Sequence, residues 1–145
     1  MRKKILVVED DTDLLEIMRL SLRSSGYSIA TATNGIEALR KARTVKPDLI
    51  VLDLVLPELD GFAVCETLRR DHATAEVPII VVTGLSSEFT RLAGLESGAT
   101  DYVTKPVSPS ALVSKIDGWL KGEPKTETSS EAGDKRNGVA SCVPS

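Results

Sequence analysis

Aromatic residues make up only 3% of this chain, two Phe, two Tyr and one Trp. Its core therefore has to be packed from Leu, Val, Ile and Ala between layers instead of around large rings. Cysteine is scarce as well: Cys65 and Cys142 are too few for a disulfide framework. His72 is the single histidine and stands near an expected helix end, where it reads as a solvated side chain, so no Cys and His cluster offers a site for a soft metal. No apolar run approaches the roughly 18 residues of a membrane span, and the Met-Arg-Lys-Lys start has no signal-peptide apolar region. Net positive charge is missing too. Eighteen Lys and Arg face 21 Asp and Glu, a formal charge of −3, which offers no broad basic surface to neutralise a phosphate backbone and argues against direct nucleic-acid binding. These absences read as a reduced, soluble, cytoplasmic protein without a membrane partner. The 145 residues match one domain, with no room for a second catalytic or DNA-binding domain.

What the chain does have is a repeated switch of apolar period. Ile5-Leu6-Val7-Val8, Leu49-Ile50-Val51-Leu52 and Ile79-Ile80-Val81-Val82 are continuous apolar runs that read as buried strands, while Tyr27–Ala32 alternates and Tyr102-Val103-Thr104 is short. Between them lie helical stripes: Leu15, Met18 and Leu22 before Gly26; Ala38, Ala42 and Val45 before Lys46-Pro47; Phe62, Cys65 and Leu68; Phe89, Leu92 and Ala93 before Gly98; Leu112, Ile116 and Trp119. Phe89 and Leu92 are expected to face the core, and so is Trp119. The result is five βα units. Right-handed crossovers and the burial ranking of the strands predict an α/β, flavodoxin-like (βα)5 three-layer sandwich, with a parallel five-stranded sheet of order 2-1-3-4-5. Residues 1–121 form the domain, and 122–145, rich in Glu, Lys, Thr, Ser and Gly, are expected to be disordered or to act as a linker.

Four strand ends carry chemistry: Glu9-Asp10-Asp11, Asp53, Thr83 and Lys105-Pro106. Sites in open α/β sheets lie at such ends, and the switch in strand order falls between strands one and three. Taken singly, an Asp or Thr there is a helix cap or turn residue and a Lys is solvated. Their joint placement points further. If Glu9, Asp10 and Asp53 converge, Lys105 leaves two negative charges uncompensated, and hard oxygen ligands then suit Mg²⁺. An acid, a metal, a lysine and a hydroxyl are the parts phosphoryl transfer needs, with Asp53 as the nucleophile.

At this point the chain resembles the receiver domain of two-component response regulators across about residues 3–120. The resemblance is carried by Ile5–Asp11, Pro47–Asp53, Leu56–Gly61, Val81–Thr83 and Gly98–Pro106, five motifs in order. It implies phosphorylation of Asp53 by a sensor histidine kinase or a histidine phosphotransfer protein. Mg²⁺ would be held by Asp10, Asp53 and the backbone carbonyl of Val55, with Glu9 helping through water. Lys105 would clamp the phosphoryl oxygens across a cis bond to Pro106, and Thr83 and Tyr102 would form a switch pair reshaping an α4-β5-α5 face for a downstream protein. Such a chain is a signalling phosphoacceptor that catalyses only its own phosphorylation and dephosphorylation, as a monomer or a phosphorylation-dependent dimer. The alternative is a receiver fragment of a larger regulator or hybrid kinase. An aspartate phosphatase of the haloacid dehalogenase type would need an acid where Val55 stands. A flavin carrier would be repelled by Glu9-Asp10-Asp11.

Overall fold

The computed structural model describes residues 2–121. The expected tail at 122–145 lies outside the described residues. Five strands, β1 (Lys4–Val8), β2 (Ser28–Ala32), β3 (Leu49–Leu52), β4 (Ile79–Thr83) and β5 (Asp101–Thr104), alternate with five helices, α1 (Thr12–Ser24), α2 (Gly35–Val45), α3 (Gly61–Arg70), α4 (Glu88–Glu96) and α5 (Pro109–Lys121). All strand pairs are parallel and the order is β2-β1-β3-β4-β5. The sequence dictates that order through burial: β3 and β4 are buried throughout and take the centre with β1, whereas β2 and β5 stay mostly half-exposed at the edges.

Successive strand residues point to opposite faces. On one face Leu6, Val8, Ile50, Leu52, Ile79 and Val81 pack with Ala38 and Ala42 of α2 and Val64, Cys65 and Leu68 of α3. The alternate residues Ile5, Val7, Val51, Ile80 and Val82 are equally buried. The buried stripe of α1, Leu15, Met18 and Leu22, packs beside β1 and β2. Burial of each such Leu, Ile, Val or Met contributes about 1.5–3 kcal/mol, whereas exposed pairs such as Arg19–Glu16 are weakened by water, so apolar pattern and not charge sets the topology.

Helix starts are fixed by side chains that accept backbone N–H groups. Asp11 receives those of Asp13 and Leu14, Asn34 that of Glu37, Asp60 that of Ala63 and Ser87 that of Thr90. Helix α2 stops where Pro47 demands, but Lys46 leaves the helix through the left-handed region (φ 56°, ψ 64°) instead of an extended one. Tyr27 falls outside β2: its N–H bonds the Leu22 carbonyl at 3.2 Å, which makes it part of the α1 exit.

The fold divides after Val113. The sheet, α1–α4 and the first residues of α5 belong to one compact unit, and Ser114–Lys121 is the described part of the second. Three expectations for the core are corrected. Phe89 is 80% exposed, Leu92 50% and Trp119 46%. The buried residue of α4 is Gly94, so this helix turns a small-residue face inward and leaves its large side chains outside.

Candidate functional site

Three backbone hydrogen bonds carry the parallel ladder one residue beyond the strands and so fix where the charged side chains start. Glu9 N–H donates to the Ala32 carbonyl at 3.0 Å, Asp53 N–H to Val8 at 3.1 Å and Lys105 N–H to Thr83 at 2.8 Å. The residues that end the apolar runs are therefore held in register with the sheet. The peptide bond between Lys105 and Pro106 is cis, as the sequence motif predicts.

The side chains meet as the charge argument requires. Lys105 Nζ lies 2.8 Å from Glu9 Oε1 and 2.8 Å from Asp53 Oδ2. The second oxygen of each carboxylate is also engaged: Glu9 Oε2 accepts the Asp11 N–H at 3.1 Å and Asp53 Oδ1 accepts the Val55 N–H at 3.0 Å. Glu9, Asp10 and Asp53 each offer a carboxylate oxygen, all within 4.8 Å of one another, with Asp10 exposed and the other two buried. Asp11 is separated from this group by its work as the α1 cap.

Burial pushes the Glu9 carboxyl above its ordinary pKa, and the charge of Asp53 adds to that. The hydrogen bonds from Lys105 and the Asp11 N–H oppose the rise without cancelling it. At Lys105 burial works against the charged form, yet its bonds to Asp53 and Glu9 prevail and hold the ammonium's pKa above the usual value. Three carboxylates facing one ammonium leave two negative charges, an arrangement of hard oxygens that fits a divalent cation with an open, solvent-facing side at Asp10.

Thr83 is buried at the end of β4 and its Oγ1 accepts the Leu85 N–H at 3.4 Å. The Tyr102 hydroxyl donates to the Leu85 carbonyl at 2.6 Å, which links the two expected switch residues through the segment after β4. His72 is exposed, as expected.

The packing roles of two glycines in the site region escaped sequence reasoning, although Gly61 ends one of the motifs that carry the resemblance. A Cβ on Gly61 would overlap Leu54 Cα and the Asp53 carbonyl oxygen, so α3 begins in direct contact with the backbone that carries Asp53, and Gly61 N–H bonds the Leu54 carbonyl at 2.9 Å. Gly94 sits in the interior of a helix. That placement is the sequence signal for a packing role, since glycine weakens helices. Beside Lys105 a recess of about 320 Å³ is lined by Leu14, Pro106 and Val107.

Comparison with known proteins agrees with this geometry. The response regulator receiver domain family matches residues 5–117. The alkaline phosphatase synthesis transcriptional regulatory protein PhoP of Bacillus subtilis is 45% identical over 131 residues, covering 90% of this chain and 54% of its own. The chain spans about half the length of the curated relatives it matches. Among solved structures, a response regulator from Chloroflexus aurantiacus aligns with a TM-score of 0.79 at 34% identity, covering 83% of this chain and 99% of its own. The chemotaxis response regulator CheY4 of Vibrio cholerae aligns at 0.77 and 29%, covering 81% and 98%.

Proposed function

The chain belongs to the response regulator receiver domain family, and on that premise we propose that Asp53 is its phosphoacceptor, served by Lys105, Thr83 and a Mg²⁺ ion. One observation carries this reading: a buried carboxylate at a strand end shares a single ammonium with Glu9, inside a group of three carboxylates. A carboxylate oxygen of Asp53 attacks the phosphorus of a phosphohistidine. The new P–O bond forms as the P–N bond breaks, and the electron pair leaves with the imidazole nitrogen. Glu9, Asp10, Asp53 and the backbone carbonyl of Val55 would hold the ion. When bound, it supplies positive charge to the phosphoryl oxygens.

Lys105 touches Asp53 and would follow the oxygen charge that develops there, and the Thr83 hydroxyl at the end of β4 would donate to the phosphoryl oxygens. The donor is a sensor histidine kinase or a histidine phosphotransfer protein. The chain acts as a signalling phosphoacceptor, and its output is a changed surface at α4 and β5 reached through Thr83, Leu85 and Tyr102.

Phosphotransfer from candidate histidine kinases with labelled phosphate tests the assignment. Label is expected on the wild-type chain and absent from Asp53→Asn, and label persisting on that variant would overturn the acceptor role. Val55 and Leu85 carry no group that could orient an attacking water, so the label should last minutes rather than seconds in the same assay. A second reading follows from the half-length match to transcriptional regulators: this receiver works inside a longer regulator with a DNA-binding output. Reading the gene beyond the codon for Ser145 decides that point.

A further inference from the structure

Glycine inside a helix needs a reason, because it surrenders more backbone freedom on folding than any other residue. Gly94 lies within the nine residues of α4 and occupies its buried position, where a side chain would normally contribute apolar burial. Its backbone is not in the left-handed region, so conformational need does not explain it. Space does. A Cβ at this position would stand 3.0 Å from Tyr102 Cε2, 3.1 Å from Tyr102 Cδ2 and 3.8 Å from Leu54 Cδ1. The first two distances are shorter than ordinary van der Waals contact, so the ring fills the place a side chain would take.

The same ring is fixed at its tip, where its hydroxyl donates to the Leu85 carbonyl at 2.6 Å. Leu85 in turn donates its N–H to the Thr83 hydroxyl, and Leu54 directly follows Asp53. The bare helix surface at residue 94 therefore borders the aromatic ring on one side and the neighbour of the acceptor carboxylate on the other.

We propose that Gly94 is a positioning residue for Tyr102: the missing side chain opens the slot on α4 that receives the ring and lets its hydroxyl reach the Leu85 carbonyl. The inference rests on the reading of Tyr102 as a switch only for its consequence, since the slot itself is geometric. A methyl at residue 94 narrows the slot, and a branched side chain fills it. A methyl makes the ring give by a few tenths of an ångström and strains the Leu85 bond, whereas a branched side chain drives the ring outward and breaks it, so the composition of this one helix position biases a two-state side chain.

The test uses the full chain with Gly94→Ala and Gly94→Val, each also placed in a Tyr102→Ala background. Nuclear Overhauser contacts between the Tyr102 ring protons and the Leu85 backbone report the ring position. They are expected to weaken in Gly94→Ala and to vanish in Gly94→Val. Urea midpoints report the fit. Gly94→Val should lower the midpoint in the wild-type background and much less once the ring is gone, a rescue that a general helix defect would not show. Unchanged ring contacts in folded Gly94→Val, or an equal loss of midpoint in both backgrounds, would overturn the proposal. Acetyl phosphate with Mg²⁺ then separates the two ideas. If the ring is displaced and the phosphorylation-dependent amide shifts of α4 are lost, both stand. If the ring is displaced and those shifts persist, Gly94 still positions Tyr102 and the switch reading of Tyr102 fails.

Discussion

Lys105 answers two buried carboxylates with one charge, and the residue that feels the imbalance is Glu9. Its longer side chain lets one oxygen reach Lys105 while the other takes the Asp11 N–H. Even so, burial raises its pKa above 4.5. The folded chain thus binds a proton at Glu9 more tightly than the unfolded chain does. The stability from that proton is fully present below about pH 4.5 and is lost as pH rises through the raised folded value. Lys105 behaves oppositely in range: its contribution holds below about pH 10.5 and goes only in alkali beyond its folded value. When ionised and without metal, Glu9 is a buried charge that shares its ammonium partner with Asp53. Gln at residue 9 removes the charge and keeps an acceptor for one of Lys105 and the Asp11 N–H while its NH₂ faces the other, so the gain of Glu9→Gln over wild type at pH 7 should stay below about 1 kcal/mol. The gap should narrow as pH falls through the raised folded value and Glu9 takes up its proton. Urea unfolding of both proteins across that range measures it. A gap of constant size, or a less stable variant at pH 7, contradicts the account.

Among the elements, the junction of α3, α4 and β5 is held by a half-buried cation that bonds oxygens of carbonyl and hydroxyl groups and, among the described residues, no carboxylate. Arg69 donates Nε–H to the Gly98 carbonyl at 2.8 Å, its first terminal nitrogen to Val77, Ala75 and Thr74, and its second to the Thr100 hydroxyl at 3.1 Å. Burial pulls the pKa of this guanidinium down, yet so many oxygens satisfy it that it stays charged. Gly98 takes a positive φ of 116° here, and a Cβ on it would overlap Arg69 Cγ. Arg69→Met strands several carbonyls and should lower stability by about 3 kcal/mol, while Arg69→Lys, which cannot span the same oxygens, should recover about a third of it. A loss under about 1 kcal/mol in either denaturant series would show that the network is ornamental. Nothing in the sequence marks Arg69 apart from Arg70 beside it, because a fork of donors is recognised only by the loops that close on it. The strands were legible because runs such as Ile79–Val82 leave no polar face to offer water, and the site was legible because each run stops at a charge or hydroxyl. Helix α4 was not: Phe89 and Leu92 form as good a stripe as any core helix, and only the Tyr102 ring, placed by the sheet, decides that the glycine side turns inward.

At the scale of the whole molecule, folding gathers charges that the unfolded chain keeps apart. Glu9 and Asp10 follow β1 and Asp53 follows β3, and only the pairing of those strands brings their oxygens within 4.8 Å. The assembled group carries three carboxylates against the Lys105 ammonium, so folding is opposed by a local excess of negative charge that the unfolded state lacks. A divalent cation that enters this group binds the folded state alone, and mass action then ties global stability to its concentration. At about one hundred times the dissociation constant the gain is about 2.7 kcal/mol. Thermal unfolding should therefore shift upward by several degrees as Mg²⁺ is added, and chelation should reverse it. Screening by NaCl at matched ionic strength should give a much smaller shift, because a buried group is poorly screened. Asp10→Asn should weaken the Mg²⁺ response by removing the exposed ligand. It should also raise the metal-free midpoint, since it removes one of the repelling charges. If Mg²⁺ and NaCl shift the midpoint equally, or if Asp10→Asn leaves the Mg²⁺ response intact, the carboxylate group is not a cation site.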